Sequence, residues 1–186
     1  MDIKEIKELL GIPFSLIYDA VNPIIKNLNL DKDSKILDIG TGDGQMAITL
    51  ALNGFHIFTG EPDTDMSRYA KQDWLKKAKK VNVDHLITFK SFDAEKMPFN
   101  EGEFDAVFIM GSLHHIENKK AAIKESLRVI KSDGVICIIE PSQKTLQFIR
   151  KEVPTHPDIV DPRDFVDKSL VEQIKGEFYN TFVIKK

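Results

Sequence analysis

An aspartate near the end of a short apolar run, followed by glycine at every second position, is the most chemically specific feature of the sequence: Ile36-Leu37-Asp38-Ile39-Gly40-Thr41-Gly42-Asp43-Gly44. Glycines at 40, 42 and 44 let the chain turn sharply and let a ligand approach the backbone closely. The stretch Gln45 to Asn53 behind them reads as a helix whose first amides need partners. Such a turn favours a ligand with a carboxylate or phosphate nearby. The usual dinucleotide turn has its third glycine where Gln45 stands, and an acidic Asp38 suits a cation-bearing ligand better than a pyrophosphate. A nicotinamide-dependent oxidoreductase is therefore the weaker reading.

A second cluster, Gly111-Ser112-Leu113-His114-His115-Ile116-Glu117, follows the apolar run Phe104 to Met110. Loops at strand carboxyl ends form the binding crevice of α/β folds, and an imidazole there can act as a base near neutral pH. His114 and His115 are the candidate general bases. As metal ligands, His114, His115 and Glu117 make a poor set, because adjacent histidines point in different directions and no fourth ligand stands at useful spacing. No metal site is expected. The single cysteine, Cys137, lies inside the apolar run Val135 to Ile139 and reads as core, so neither a disulfide nor a multi-thiolate centre can form within the chain.

The elements that must position these residues alternate regularly. After the turn Asp31-Lys32-Asp33-Ser34, strands are expected at 36–39, 55–59, 86–90, 104–110 and 135–139, with helices at 45–53, 65–80 and 119–130 between them. Apolar strands without polar alternation are buried on both faces, as in a parallel sheet covered by helices. Residues 1–30 read as a helical lid broken at Gly11-Ile12-Pro13, with Ile3, Ile6, Leu9 and Leu10 at helical spacing. Phe14 and Tyr18 on it are candidate acceptor contacts. Beyond Pro141 come a helix at 143–151, a proline-rich loop, a helix at 168–175 and a last strand at 178–184.

From Ser34 to Pro141 the chain resembles the class I, Rossmann-like S-adenosylmethionine-dependent methyltransferases, in their ubiquinone/menaquinone methyltransferase-like (type 11) branch. Four motifs in order carry the resemblance: the glycine turn, Phe58-Thr59-Gly60-Glu61-Pro62-Asp63, Ser91-Phe92-Asp93-Ala94-Glu95-Lys96-Met97-Pro98-Phe99, and Phe104 to Ile116. The helix 121–130 with Lys131-Ser132-Asp133-Gly134 resembles the same branch. The resemblance implies a Rossmann-like, doubly wound, mostly parallel sheet with helices on both faces and a shortened C-terminal hairpin. It implies one methyltransferase domain over 1–186, with a cofactor-binding core at 34–141 and a substrate-side segment at 142–186.

S-adenosyl-L-methionine is the implied cofactor and S-adenosyl-L-homocysteine its product. Asp38, Gly40, Thr41, Gly42 and Gly44 would form the first part of its site. Glu61 would accept from the ribose hydroxyls beside Pro62, and Asp93 would accept from the adenine amino group beside the Ala94 backbone. Met110 and Gly111 would lie near the methyl, with Ser112 toward the acceptor. Asp63 would cap the next helix. One buried cysteine sets aside arsenic methylation, which needs several thiols.

The expected activity is in-line methyl transfer to a small molecule, with a non-catalytic cofactor-binding module as the alternative. With 29 acidic against 26 basic residues, a nucleic-acid surface is not favoured, and Lys76, Lys77, Lys79 and Lys80 read as a solvated helix face. No membrane partner is expected, since no run approaches the roughly 20 apolar residues of a span. The N-terminus alternates charge instead of leading into a signal core, so the expected location is cytoplasmic. An open sheet edge is the expected route to a homodimer.

Overall fold

In a computed structural model that describes all 186 residues, the chain divides into two compact units, Met1–Ser91 and Phe92–Lys186. The first opens with α1 (Ile3–Leu10), started by a capping box in which the Glu5 amide donates to Asp2 and the Asp2 amide donates to the Glu5 carboxylate. Gly11 breaks the helix where the sequence predicts, and α2 (Ile12–Asn27) follows, with Pro13 in its first turn where no amide donor is needed. Phe14, Ile17, Val21 and Ile25 of α2 are buried.

Three parallel strands, β1 (Lys35–Ile39), β2 (His56–Gly60) and β3 (Ile87–Phe89), lie in the order β3-β2-β1. Between the first two runs α3 (Gln45–Leu52), buried at every position from Met46 to Ala51. A helix apolar all round needs cover all round. Part of it comes from α2, where Asn22 Oδ1 accepts from Asn53 Nδ2 at 2.8 Å.

The helix expected over 65–80 forms only as α4 (Trp74–Lys80). Residues 61–73 are a loop, because short polar side chains there bond locally and compete with the helix: Asp65 accepts from the Ser67 amide and Ser67 from the Tyr69 amide. Lys71 has a φ of 56°. The cap of α4 is Asp73, accepting from the Lys76 amide, and not Asp63 as the sequence suggested.

In the second unit β4 (Phe104–Met110) pairs in parallel with β5 (Ile130–Pro141) across the crossover helix α5 (Lys119–Val129). The β5 strand starts earlier than predicted: Phe104 faces Ile130 but Ala106 faces Val135, so exposed Lys131, Ser132 and Asp133 are carried in a register shift. After α6 (Gln143–Glu152), β6 (Val171–Lys175) and β7 (Tyr179–Lys185) form an antiparallel hairpin whose β7 pairs with β5. The helix expected at 168–175 is thus a short 3-10 turn, Lys168–Leu170, leading into a strand. Glu172, Gln173 and Lys175 have good helix propensity, but pairing with β7 decides the outcome. The hairpin expected in shortened form pairs five residues of β6 with β7.

Cys137 is fully buried in β5, and burial pushes its thiol up to about 12, which makes it a core residue and no thiolate nucleophile. No helix is long and apolar enough to cross a membrane.

Candidate functional site

The first unit places Asp38, the glycine turn and Glu61 at the carboxyl ends of β1 and β2. Asp38 is 1% exposed. Its Oδ2 accepts from the Thr59 hydroxyl at 2.8 Å, and its Oδ1 is buried with no partner. Thr59 spends its one proton on Asp38, so in the 2.9 Å contact between Thr41 and Thr59 the Thr41 hydroxyl donates. Burial is the main cause that raises Asp38 to about 7; the Thr59 hydrogen bond opposes it and the nearby charge of Glu61 adds to it. A cation at Oδ1 would relieve both the missing partner and the repulsion.

Glu61 holds the turn from the other side. Its Oε2 accepts from the Gly42 amide at 3.0 Å and its Oε1 from the Lys71 amide at 2.6 Å, while its own carbonyl accepts from Ser91 Oγ at 3.1 Å. Each carboxylate oxygen keeps a second lone pair for a ligand hydroxyl. Gly44 adopts a φ of 77°, and a Cβ there would lie 2.7 Å from the Cβ of Trp74, so only glycine fits between turn and α4. Asp43 points to the surface and pairs with Lys77. Pro62 is half-buried beside Glu61.

In the second unit Asp93 is exposed, with Oδ1 accepting from the Glu95 amide at 2.8 Å, and Ala94 is buried. Glu95 accepts from the Asn118 amide at 2.8 Å, tying this segment to the start of α5. Met110 ends β4, and Gly111 turns the chain with a φ of 59°, its amide donating to the Ile139 carbonyl. Ser112 Oγ donates to the Met110 carbonyl at 3.0 Å.

The histidine pair sits in a 3-10 turn, Leu113–His115, and its members differ sharply. His114 is 5% exposed, and its Nδ1 lies 2.5 Å from Glu140 Oε2 at the end of β5. Its Nε2 is buried with no partner, as is Glu140 Oε1. His115 is exposed, yet its ring centroid is only 4.2 Å from that of His114. The expectation that the adjacent rings diverge fails, because the tight turn lays them side by side. Buried His156 joins them, 5.0 Å from each ring, and Glu117 does not. Burial is the main cause that lowers His156, partly offset by the Pro157 carbonyl.

The structure thus brings two hydrogen-bonded sets to the glycine turn within the first unit, Asp38 with Thr41 through Thr59 and Gly42 with Glu61, and sets His114 beside His115 within the second. Phe14 and Tyr18 pack against each other on α2, with ring centroids 5.8 Å apart and Phe14 in the core. Sequence reading missed Thr59, Glu140 and His156. Glu140 carried a signal, since a charge ending the apolar run Val135 to Ile139 repeats the pattern of Asp38. His156, in a loop with no periodicity, carried none.

Residues 37–138 match the family model described as a methyltransferase domain. Among curated relatives, 27-O-demethylrifamycin SV methyltransferase of Amycolatopsis mediterranei is 30% identical over 111 residues, covering 60% of this chain and 40% of that protein. Demethylmenaquinone methyltransferase of Staphylococcus haemolyticus is 31% identical over 130 residues, covering 69% of this chain and 52% of that protein. This chain therefore spans about half the length of these relatives or less. A solved structure from Methanococcus maripaludis shares the fold at a TM-score of 0.70, with 21% identity over 98% of this chain and 89% of that one. Rossmann-like α/β architecture and sequence agree, and the chain belongs to the methyltransferase domain family.

Proposed function

We propose that the protein transfers a methyl group from S-adenosyl-L-methionine to a small-molecule acceptor. The observation that carries this reading is Asp38: a buried carboxylate with one unpartnered oxygen beside a glycine turn fits a ligand that brings a cationic amino group. Glu61 fits the same ligand, since its remaining lone pairs suit the paired hydroxyls of a ribose. When bound, the cofactor supplies a methyl group activated by a sulfonium.

The chain's own contribution is binding and orientation, which can supply much of the acceleration for an in-line displacement with a good leaving group. Asp38, Gly40, Thr41, Gly42 and Gly44 hold the amino-acid end. Glu61 and Pro62 meet the ribose. Asp93 accepts from the adenine amino group through Oδ2, Oδ1 being used by the Glu95 amide. Ala94 meets the ring through its backbone, Met110 and Gly111 border the methyl, and Ser112 and Tyr18 serve the acceptor, while Phe14, buried in the core, backs the Tyr18 ring and does not reach the acceptor. Where the acceptor must lose a proton, the His114 and His115 turn takes it, with Glu140 fixing the His114 ring. Relatives named for demethylmenaquinone and 27-O-demethylrifamycin SV support a small organic acceptor.

Calorimetric titration with S-adenosylmethionine, S-adenosylhomocysteine and NAD tests the cofactor reading. Micromolar binding of the two sulfur ligands without NAD is expected; binding of NAD alone would overturn it. Acceptor-dependent release of S-adenosylhomocysteine then separates an enzyme from a binding module.

A further inference from the structure

The geometry points to a divalent metal site in the second unit, formed by His114, His115 and His156 and suited to zinc. One ligand-capable atom from each of the three residues lies within 4.8 Å of the others. A tetrahedral ion with nitrogen ligands at about 2.0–2.1 Å needs them roughly 3.4 Å apart, so binding draws all three rings inward, exposed His115 by rotation and buried His114 and His156 by small shifts toward each other. Imidazole suits this class of ion.

Two independent features fit the same assignment. First, a histidine ligand commonly gives its other ring nitrogen to a carboxylate or a backbone carbonyl, which fixes the ring and raises its basicity. His114 Nδ1 has Glu140 at 2.5 Å and His156 Nδ1 has the Pro157 carbonyl at 3.0 Å, so in both the metal-binding nitrogen is Nε2. Second, His114 Nε2 is buried without a hydrogen-bond partner. If His114 were an imidazolium paired with Glu140, that position would be a buried donor with no acceptor. As a neutral ring it presents a lone pair, which an ion satisfies while also compensating the buried Glu140 carboxylate.

The third ligand is held in place by its own structure. Arg150 donates through Nε and Nη2 to the His156 carbonyl at 3.0 and 2.8 Å and pairs with Asp158 at 2.8 Å, clamping the loop on which His156 stands. Three imidazoles leave the fourth position of a tetrahedral ion open. A water or hydroxyl bound there loses its proton to solvent more readily than in bulk. The site does not depend on the methyl-transfer reading, but with the ion bound His114 and His115 act as ligands and not as the base, and the proton of an acceptor hydroxyl is lost from the ion-bound position to solvent.

The test uses the full chain, stripped with a chelator and free of S-adenosylmethionine, titrated with cobalt(II) while the visible spectrum is followed, then with zinc(II) by equilibrium dialysis. One ion per chain with the intense absorption of tetrahedral cobalt is expected. His115→Ala, at an exposed position that spares the fold, and His156→Ala should each abolish the cobalt band. Glu140→Gln should weaken binding about 10- to 100-fold. Absence of stoichiometric binding, or a band unchanged in His115→Ala, would overturn the proposal. Neither outcome bears on whether Asp38 and Glu61 hold the cofactor, which the titration with S-adenosylmethionine decides separately.

Discussion

Thr59 donates its hydroxyl proton to Asp38 across the first two strands, at 2.8 Å and with both side chains buried. The parallel register sets this up directly, since Asp38 and Thr59 are partners in the ladder of β1 and β2. The pair leaves the other carboxylate oxygen unsatisfied. Asp38 is therefore held in a costly state that an incoming cationic group improves, and its ionisation should govern both stability and binding.

The pH dependence has a definite sign. Asp38 is raised from its ordinary 3.8 to about 7, so the native state binds more protons than the unfolded chain between those values. Its contribution to stability is fully present below the ordinary value and is lost as pH rises through about 7. Affinity for S-adenosylmethionine runs the other way, because the ionised carboxylate is the form that meets a cation. Binding should strengthen roughly eightfold from about pH 6 to about pH 7.5 by calorimetry. Asp38→Asn should remove both trends.

Thr59→Val tests the hydrogen bond itself. The valine keeps the shape and the strand propensity but gives the carboxylate no donor, and Thr59 is what holds the Asp38 value down against burial. The midpoint of the binding profile should move to higher pH. Stability should fall by about 1–3 kcal/mol in urea melts, the cost of a stranded buried acceptor. An unmoved midpoint would show that Asp38 does not control binding.

Glu61→Ala removes the acceptor assigned to the ribose hydroxyls, and affinity for S-adenosylmethionine should drop by about 1–3 kcal/mol. The same substitution frees the amides of Gly42 and Lys71, which Glu61 now accepts. Faster hydrogen exchange at Lys71 should accompany the affinity loss. Exchange that quickens with affinity unchanged would assign Glu61 to the loop alone.

Arg128 organises the segment that carries Asp93. It donates to both oxygens of Glu125 and to the carbonyls of Phe99 and Met97, while Glu125 also accepts from the Met97 amide. The guanidinium beside Glu125 is the main cause holding that carboxyl below its ordinary 4.5, so its contribution to stability is present above that value and is lost as pH falls. Arg128→Ala should cost about 1–3 kcal/mol at neutral pH and flatten the acid limb of the stability profile, as read from thermal melts.

Strands announced themselves in the sequence where burial leaves no choice of residue type. Ile36, Leu37 and the run from Ala106 to Ile109 are almost wholly buried, and β4 falls where its apolar run stands. Legibility failed where partners distant in sequence decide the conformation. The β6 strand reads as helix by composition and is a strand because β7 pairs with it, and residues 65–73 read as helix but form a loop pinned by Glu61 and by short polar side chains. The candidate site divides in the same way. Asp38 and the glycines are local in sequence, whereas His156 meets His114 from 42 positions away, and no local pattern encodes that meeting.

Gly44 offers the sharpest test of how the turn is held. Its φ of 77° lies in the left-handed region that costs an ordinary L-residue roughly 1–2 kcal/mol. The Cβ that Gly44→Ala would add lies 2.7 Å from the Trp74 Cβ and 3.4 Å from its Cα, so α4 would have to shift, and Trp74 also stacks on Phe89 at 6.1 Å. Backbone strain and clash act together, and the variant should lose about 2–4 kcal/mol of stability by denaturant unfolding. Gly54→Ala is the control. Its φ of 90° is comparably unfavourable, but nothing lies within 4 Å of the added carbon, so it should pay the backbone term alone. A larger loss at Gly44 than at Gly54 would assign the excess to contact with Trp74; equal losses would show that the turn tolerates the methyl by moving, and that the cradle around Asp38 is looser than its hydrogen bonds suggest.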